Sequence, residues 1–150
     1  MNRKEREITN LKKIEDILQK ATVLRLAVCE DNNPYVIPLN FGYKEKSIYV
    51  HSSRKGMKID ILKKNSNVSF EVDINHELVL SEEACGFSMK YDSVIGFGKA
   101  FFISNSFEKK QALGIIMSHY SDDDFSYSSE EVEKICIIRI DIESMTGKKS

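Results

Sequence analysis

The sequence predicts one mainly β domain, an antiparallel barrel of about six strands that carries flanking helices. With 150 residues, the chain is long enough to bury one core and short for a second catalytic domain, so residues 1–150 are expected to form a single domain. Its β-like segments are joined mostly by short turns, which favours an antiparallel arrangement over a doubly wound sheet. Hydrophobic residues make up 41% and charged residues 30%, the balance of a globular protein.

The first half of the chain contains one predicted helix and three strands. Residues 10–20 place Leu11, Ile14, Ile17 and Leu18 at helical spacing after a residue that can cap a helix. The β-rich stretches that follow are 22–29, 35–43 and 47–51, and the first two are separated by the turn residues 31–34. Three strands joined in this way indicate a meander.

The second half contains two more predicted helices and three strands. The helix 56–64 is expected to bury Met57, Ile61 and Leu62. A further helix begins at Ser106. The strands are 68–72, 91–103 and 135–142, and residues 74–90 suggest either a long connection or a frayed strand. Gly96 and Gly98 suit a bulge or tight barrel corner.

Composition argues against several classes of function. The net charge of −1 gives no overall attraction to nucleic acid or anionic membrane, and no apolar run approaches a membrane-spanning length. The three cysteines form no CxxC pair and the polar N-terminus resembles no secretory signal, so a reducing cytoplasm is expected. The cluster of His76, Glu77, Glu82, Glu83 and Cys85 matches no metal-ligand spacing, and no metal site is predicted.

A cationic bend is the most informative stretch for chemistry. Residues 51–58, His-Ser-Ser-Arg-Lys-Gly-Met-Lys, leave a strand and enter a helix at a glycine, so backbone N–H groups and the positive end of that helix face one spot. Residues 54–64 contain five basic side chains and one acidic side chain. Such a spot suits a phosphate, with Arg54 and Lys58 as its charged partners. The alternative is a solvated turn followed by a lysine-rich outer helix face.

Five segments of the chain carry a family resemblance. They are PYVIPLNFGY (34–43), IYVHSS with GMKID (48–53 and 56–60), FEVD (70–73), YDSVIGFG (91–98) and IRIDIESMTGK (138–148). In this order they resemble the FMN-binding split-barrel proteins related to pyridoxamine 5′-phosphate oxidase, and among them the nitroimidazole-reductase (Nim-like) group. Basic cofactor contacts of the oxidases proper are absent from residues 36–41, so oxidation of that vitamin is not expected.

The resemblance implies a six-stranded antiparallel split β-barrel that forms a homodimer, with FMN at the subunit interface. It places the isoalloxazine edge along the strand that includes residues 36–40 and the phosphate at the cationic bend. The implied cofactor contacts are Val36, Ile37, Pro38, Leu39, Asn40, His51, Ser52, Ser53, Arg54 and Lys58, with Tyr91 and Ser93 from a neighbouring strand.

The implied activity is that of an FMN-dependent reductase with a ping-pong cycle. A donor such as NAD(P)H reduces FMN, and the reduced flavin passes two electrons to a nitro group or a similar small organic acceptor. His51 could donate a proton to substrate or serve only as a structural residue, so no catalytic residue is assigned. Two other functions remain open: a haem-binding or haem-degrading protein, with His51, His76 or His119 as ligand, and a non-catalytic flavin-binding module.

The remaining aromatic and sulfur-containing residues have structural interpretations. Phe97, Phe101 and Phe102 are expected in the core or a dimer interface, with packing over a flavin as the alternative. Cys29 and Cys136 are expected to be small core residues. His119 is expected at the exposed end of the third helix.

Overall fold

The structure is a computed structural model that describes residues 4–150, which form eight strands and four α-helices. The helices are α1 (Leu11–Lys20), α2 (Met57–Lys64), α3 (Ser106–Ser118) and α4 (Ser129–Lys134). The strands are β1 (Glu7–Ile8), β2 (Leu24–Glu30), β3 (Asn33–Leu39), β4 (Gly42–Lys44), β5 (Ser47–Ser52), β6 (Asn67–Val79), β7 (Ser88–Ile103) and β8 (Cys136–Lys149).

All strand pairs of the sheet are antiparallel, in the order β3-β2-β6-β7-β8-β5-β4, with β1 added alongside β8. The edge strands β3 and β4 are consecutive in the chain, and no hydrogen-bonded ladder joins them within the part of the chain that the structure describes. Leu24 of β2 and Tyr43 of β4 nevertheless share one core, so the sheet curls without closing. The predicted split barrel is therefore confirmed.

Two short strands account for the difference between six predicted strands and eight observed ones. The stretch predicted as one strand over 35–43 divides into β3 and β4, since Phe41 turns a fully buried ring into the core. Its N–H donates to the hydroxyl of Tyr120 at 3.0 Å and so leaves the ladder. The other addition, β1, has only two residues.

Residues 74–90 are largely strand, in agreement with the second of the two predicted alternatives. Strand β6 continues to Val79, and β7 begins at Ser88 after a short 3₁₀ turn. The β6–β7 register shifts between Ile74 and Glu77, where Asn75 has a positive φ of 60°. A bulge at this point hides the alternation that would otherwise predict one long hairpin.

Most predicted core positions are buried, with three kinds of exception. Ile14, Ile17 and Leu18 of α1 pack into the core, whereas Leu11 in its first turn is exposed. In α2 the prediction was wrong for Met57, which is 61% exposed, because Ile59 on another face of this short helix turns inward instead. Cys29 and Cys136 are only half-buried.

The three phenylalanines of β7 do not lie in the core. Phe97, Phe101 and Phe102 are all exposed, at 55%, 43% and 39%, so the core interpretation was wrong and the interface and flavin interpretations remain. Phe97 and Phe101 belong to the outer face of the sheet, because the opposite face of β7 carries the buried residues Val94 and Ala100. Phe102 follows Ala100 by two residues on that opposite face and lines a cavity beside α2.

Helix α4 was not predicted. It completes a second hydrophobic cluster in which Val132 packs with Leu113 and Ile116 of α3 and with Ile137 of β8. The bulge predicted at Gly98 is confirmed, since a register shift falls between Phe97 and Gly98. Gly96 keeps a regular register, and a Cβ there would meet the Phe70 ring. No helix among residues 4–150 is long and apolar enough to cross a membrane.

Candidate functional site

The cationic bend, residues 51–58, connects the end of β5 to the start of α2. Gly56 sits at the helix boundary with φ 125°, a conformation that favours glycine. Its carbonyl accepts the N–H groups of Ile59 at 2.9 Å and Asp60 at 3.1 Å. No side-chain oxygen caps α2, and the space where Gly56 would carry a Cβ is open within 4 Å. The first turn of α2 is thus accessible to an anion.

The polar side chains of the bend are partly engaged with backbone. Ser53 Oγ donates to the Lys55 carbonyl at 2.6 Å, and Arg54 Nη1 donates to the Glu133 carbonyl at 3.3 Å. His51 is exposed, and Ser52 is half-buried. The hydrogen bonds of Ser53 and Arg54 both end on backbone carbonyls and not on carboxylates. The guanidinium charge of Arg54 is therefore not neutralised by these contacts.

Lys58 is the most informative charged group of the bend. Its side chain is half-buried, and burial lowers its pKa, while the neighbouring Cys136 thiol acts weakly in the opposite direction. No carboxylate among the residues that the structure describes acts on the pKa of Lys58. A cation that is partly removed from water without a negative partner is destabilised, and a bound phosphate would supply the missing charge.

The edge strand β3 presents an unpaired backbone edge. Ile37 and Leu39 pack against the core, whereas Val36 and Pro38 point outward. Proline is tolerated there because an edge strand need not donate on both sides. Strand β3 leads through residues 40 and 41 into β4, which pairs with β5, the strand from which the bend leaves. No ladder among the described residues joins residues 36–40 to the bend.

Tyr91 and Ser93 lie far from the bend within one chain. His51 pairs with Ile137 of β8, which also pairs with Ile103 at the far end of β7. Ser93 precedes Ile103 by ten residues, which corresponds to roughly 30 Å along the strand. Tyr91 is half-buried beside Lys148, whose Nζ lies 3.4 Å from the phenol oxygen. The structure does not bring Tyr91 and Ser93 together with the ten other residues predicted to contact the cofactor.

The histidines occupy three separate places. His51 is exposed on β5, and Nε2 of His76 forms an ion-pair contact of 2.9 Å with Asp73. The prediction that His119 lies at an exposed helix end is wrong, since its ring is half-buried. Its Nε2 lies 2.6 Å from the Ala21 carbonyl and its ring packs against Phe41, because the C-terminus of α3 folds onto the split between β3 and β4.

A further cavity in the described part of the chain was not predicted. It has a volume of about 680 Å³ and lies between α3 and the β4–β5 edge. Tyr49, Gln111, His119 and Arg139 are among its lining residues, and none of the predicted cofactor contacts lines it. Arg139 forms two hydrogen bonds with Asp141 and lies 5.4 Å from the Phe101 ring centroid. The feature of the sequence that could have indicated this cavity is Arg139, a lone arginine in an apolar strand.

Comparison with solved structures assigns the fold to a class. The chain superimposes with a TM-score of 0.86 and 38% identity on a "putative 5-nitroimidazole antibiotic resistance protein" from Bacteroides thetaiotaomicron, over 95% of this chain and 86% of that one. It also matches the fold of an FAD- and haem-binding protein from Mycobacterium smegmatis, with a TM-score of 0.87, 17% identity and coverage of 97% and 73%. Both likenesses support the split-barrel fold of this chain.

The sequence assigns the chain to a family within that class. The profile described as pyridoxamine 5′-phosphate oxidase matches residues 11–149, and the chain belongs to that family, which contains flavin oxidoreductases. A curated relative, an uncharacterized protein from Rhizobium meliloti, is 29% identical over 58 residues, and that match spans only 38% of the relative's length.

Proposed function

We propose that this protein is an FMN-dependent oxidoreductase of the nitroimidazole-reductase type that functions as a homodimer. One observation carries the proposal: the cationic bend combines the open, uncapped first turn of α2 with a partly buried Lys58 on which no carboxylate of the described residues acts. The 38% identity to the Bacteroides protein supports the choice of substrate class.

The bend would hold the FMN phosphate. Lys58 supplies a charge that lacks a carboxylate, and Ser52 and Ser53 supply hydroxyl groups. The open first turn of α2 adds backbone N–H groups and the positive end of the helix dipole. Arg54 would add a bidentate contact after its guanidinium turns from the Glu133 carbonyl.

The unpaired edge of β3 would hold the flavin ring. Backbone groups of residues 36–40 can pair with the polar edge of the isoalloxazine, since β2 occupies only the other edge of the strand. When bound, FMN supplies hydride exchange at its N5 atom. The chain then needs to orient the ring and exclude water, with Val36 and Pro38 providing outward apolar surface.

A second copy of the chain would complete the site. Tyr91 and Ser93 lie roughly 30 Å along the sheet from the bend, so they can contact the same flavin only from another subunit. Ser93 is only 5% exposed, whereas Tyr91 is half-buried, so Tyr91 is the residue with side-chain surface left for that contact. The outer face of the sheet carries exposed apolar side chains, with Val36 58% exposed and Phe97 55% exposed, beside the ion pairs of Arg25 with Glu71 and Asp73. Exposed apolar groups rimmed by charges commonly mark interfaces.

The experiment begins with the visible spectrum of purified protein incubated with FMN. The proposal predicts a protein-bound flavin spectrum that is bleached anaerobically by NADPH or dithionite. Addition of a nitroimidazole should then restore the oxidised spectrum, with two electrons transferred per flavin. Bound flavin that stays reduced in the presence of nitroimidazole would contradict the reductase and leave a flavin-binding module.

The same spectrum tests the haem alternative. A Soret band after incubation with haem, with no flavin bound, would contradict an FMN enzyme. His119 is a poor ligand here because its Nε2 already contacts the Ala21 carbonyl. His51 and His76 remain as exposed candidates, and only His76 lies outside the expected FMN contacts. Our proposal predicts that His76→Ala leaves the FMN spectrum in place.

A further inference from the structure

A cavity at the far end of the sheet from the cationic bend has no role in the proposed function. It has a volume of about 280 Å³ and lies between α1 and the strands β1, β6, β7 and β8. His51 and Ile103 both pair with Ile137 of β8. Asp92, at the wall of the cavity, precedes Ile103 by eleven residues, roughly 35 Å along β7. We call this space the α1 cavity, and its described lining includes none of the residues expected to contact FMN.

Five charged side chains of both signs line the α1 cavity. They are Lys13, Asp16 and Lys20 of α1, Asp92 of β7 and Lys149 of β8. The helix residues stand three and four positions apart, and Asp92 is the cross-strand partner of Lys149, so the spacing would allow ion pairs in both places. Within residues 4–150 none of the five forms one. Positive and negative groups therefore face one space without neutralising each other.

One of the two carboxylates is held by a neighbouring amide. Asn75 has a positive φ of 60° at the β6 bulge, and its Nδ2 donates to Asp92 Oδ2 at 2.7 Å. Both residues line the cavity, and Asp92 is half-buried. Since a carboxylate has about four lone-pair sites, Asp92 can accept further hydrogen bonds while it is held in this way. The sheet side of the cavity thus offers a fixed anion that can bind an ammonium group.

The buried part of the lining is apolar. Ile17 is 5% exposed, and Ile8 and Ile74 are partly buried against the main core. An inorganic ion would satisfy charges of one sign only and would leave the isoleucines in water. A molecule that carries a carboxylate, an ammonium and an aliphatic group satisfies all three kinds of lining group. We propose that the α1 cavity binds a free amino acid with an aliphatic side chain.

The size of the α1 cavity suits such a ligand. A volume of about 280 Å³ corresponds to roughly nine water molecules and lies just below the range typical of drug-sized ligands. A bound amino acid would link α1 to β7 and β8 through its two charged groups, so it should stabilise the folded chain. The proposal rests on neither flavin binding nor the reductase activity, so its failure would leave the proposed function standing.

The test follows isoleucine δ-methyl groups by NMR in protein incubated with FMN, while L-leucine is titrated in. We expect saturable shifts at Ile8, Ile17 and Ile74, whereas Ile61 of α2 should not move. 4-Methylpentanoate lacks only the ammonium group of leucine, and isoamylamine lacks only its carboxylate. Each analogue should bind at least about tenfold more weakly than leucine. Absence of saturable shifts, or equal binding of either analogue, would overturn the proposal.

Variants of α1 assign the two charges of the ligand. Asp16→Asn should weaken leucine binding by about tenfold while 4-methylpentanoate binds at least as well as before, because only leucine has an ammonium group for this carboxylate. Lys13→Gln should weaken both ligands by about fivefold. Lys12→Gln is its control, since Lys12 is the preceding residue of α1 but does not line the cavity. Equal effects of the two lysine variants, or full discrimination retained in Asp16→Asn, would contradict the proposal.

Discussion

Gly98 allows β7 to pass close to β8 at the bulge. A Cβ at this position would lie 2.2 Å from the Asp141 carbonyl oxygen, a backbone atom that cannot move without shifting β8. We therefore expect Gly98→Ala to lower the free energy of unfolding by about 1–3 kcal/mol, the usual cost of overpacking. Urea denaturation measures the change.

Gly114→Ala is the matched control for that substitution. Nothing lies within 4 Å of a Cβ at Gly114, which is in the interior of α3. Alanine is the better helix former, so a gain of up to about 1 kcal/mol is expected. If both variants changed stability alike, the close approach at Gly98 would not be the cause.

The raised pKa of Tyr43 leads us to expect a loss of stability at high pH. Burial, together with a 2.8 Å hydrogen bond from its hydroxyl to Glu15, raises the pKa of Tyr43 from 10.0 to about 12. The folded protein thus holds this proton more tightly than the unfolded chain. The stabilisation is complete below pH 10 and is lost as the pH rises toward about 12.

Tyr43→Phe provides the check on this titration. The variant should lose one late-titrating tyrosine from the absorbance titration and part of the decline in unfolding free energy above pH 10. Tyr35→Phe removes an exposed hydroxyl and should leave both the late titration step and the decline in unfolding free energy unchanged. An unchanged high-pH step in Tyr43→Phe would show that another group is responsible.

At the residue scale, prediction from sequence succeeded where sterics or periodicity decide the outcome. Gly96 and Gly98 were expected at close approaches, and both are found there. Met57 was expected inside and lies outside, because a helix of eight residues shows too few turns to define its buried face.

At the element scale, α4 depends on a capping box. Ser128 Oγ accepts the N–H of Glu131 at 3.2 Å, and the Ser128 N–H donates to the Glu131 carboxylate at 2.9 Å. Ser128→Ala should lower the free energy of unfolding by about 1 kcal/mol, measured by urea denaturation. The control is Ser126→Ala, on the exposed approach to the helix, which should have almost no effect. Equal losses would exclude the cap as the source.

The missed helix had a recognisable signal. Ser-x-x-Glu at 128–131 is the capping-box spacing, and it went unused because only Val132 follows it as a buried apolar residue. The edge strand β3 and the strand-to-helix bend were both predictable, since proline, glycine and alternation mark them locally. The break between β3 and β4 was not predictable, because it depends on Tyr120, which lies just beyond α3 and 79 residues from Phe41.

At the scale of the whole molecule, the outer face of the sheet predicts self-association. Val36 and Phe97 lie in one row of the sheet with Ala27 and Ser69 between them, so the two exposed apolar side chains share the outer face. Phe97→Asp should weaken dimerisation by about 2 kcal/mol or more, as for a central interface residue. Analytical ultracentrifugation with and without FMN is the measurement, and FMN affinity should fall together with the dimer.

Phe107→Asp is the control for the interface. Phe107 is 68% exposed but lies on α3, away from the outer face of the sheet. A dimer unaffected by Phe97→Asp would place the interface elsewhere.

The sequence could not define this surface, because periodicity shows that β7 has an apolar outer face and does not show what covers it.

The central claim is that the cationic bend holds the phosphate of FMN. Riboflavin has the same ring without that phosphate, so the ratio of the two affinities measures the phosphate contact directly. The unmodified protein should prefer FMN strongly, and Ser52→Ala with Lys58→Ala should weaken FMN by about a hundredfold while riboflavin binding changes little. A double variant that keeps the full preference for FMN over riboflavin would contradict the account.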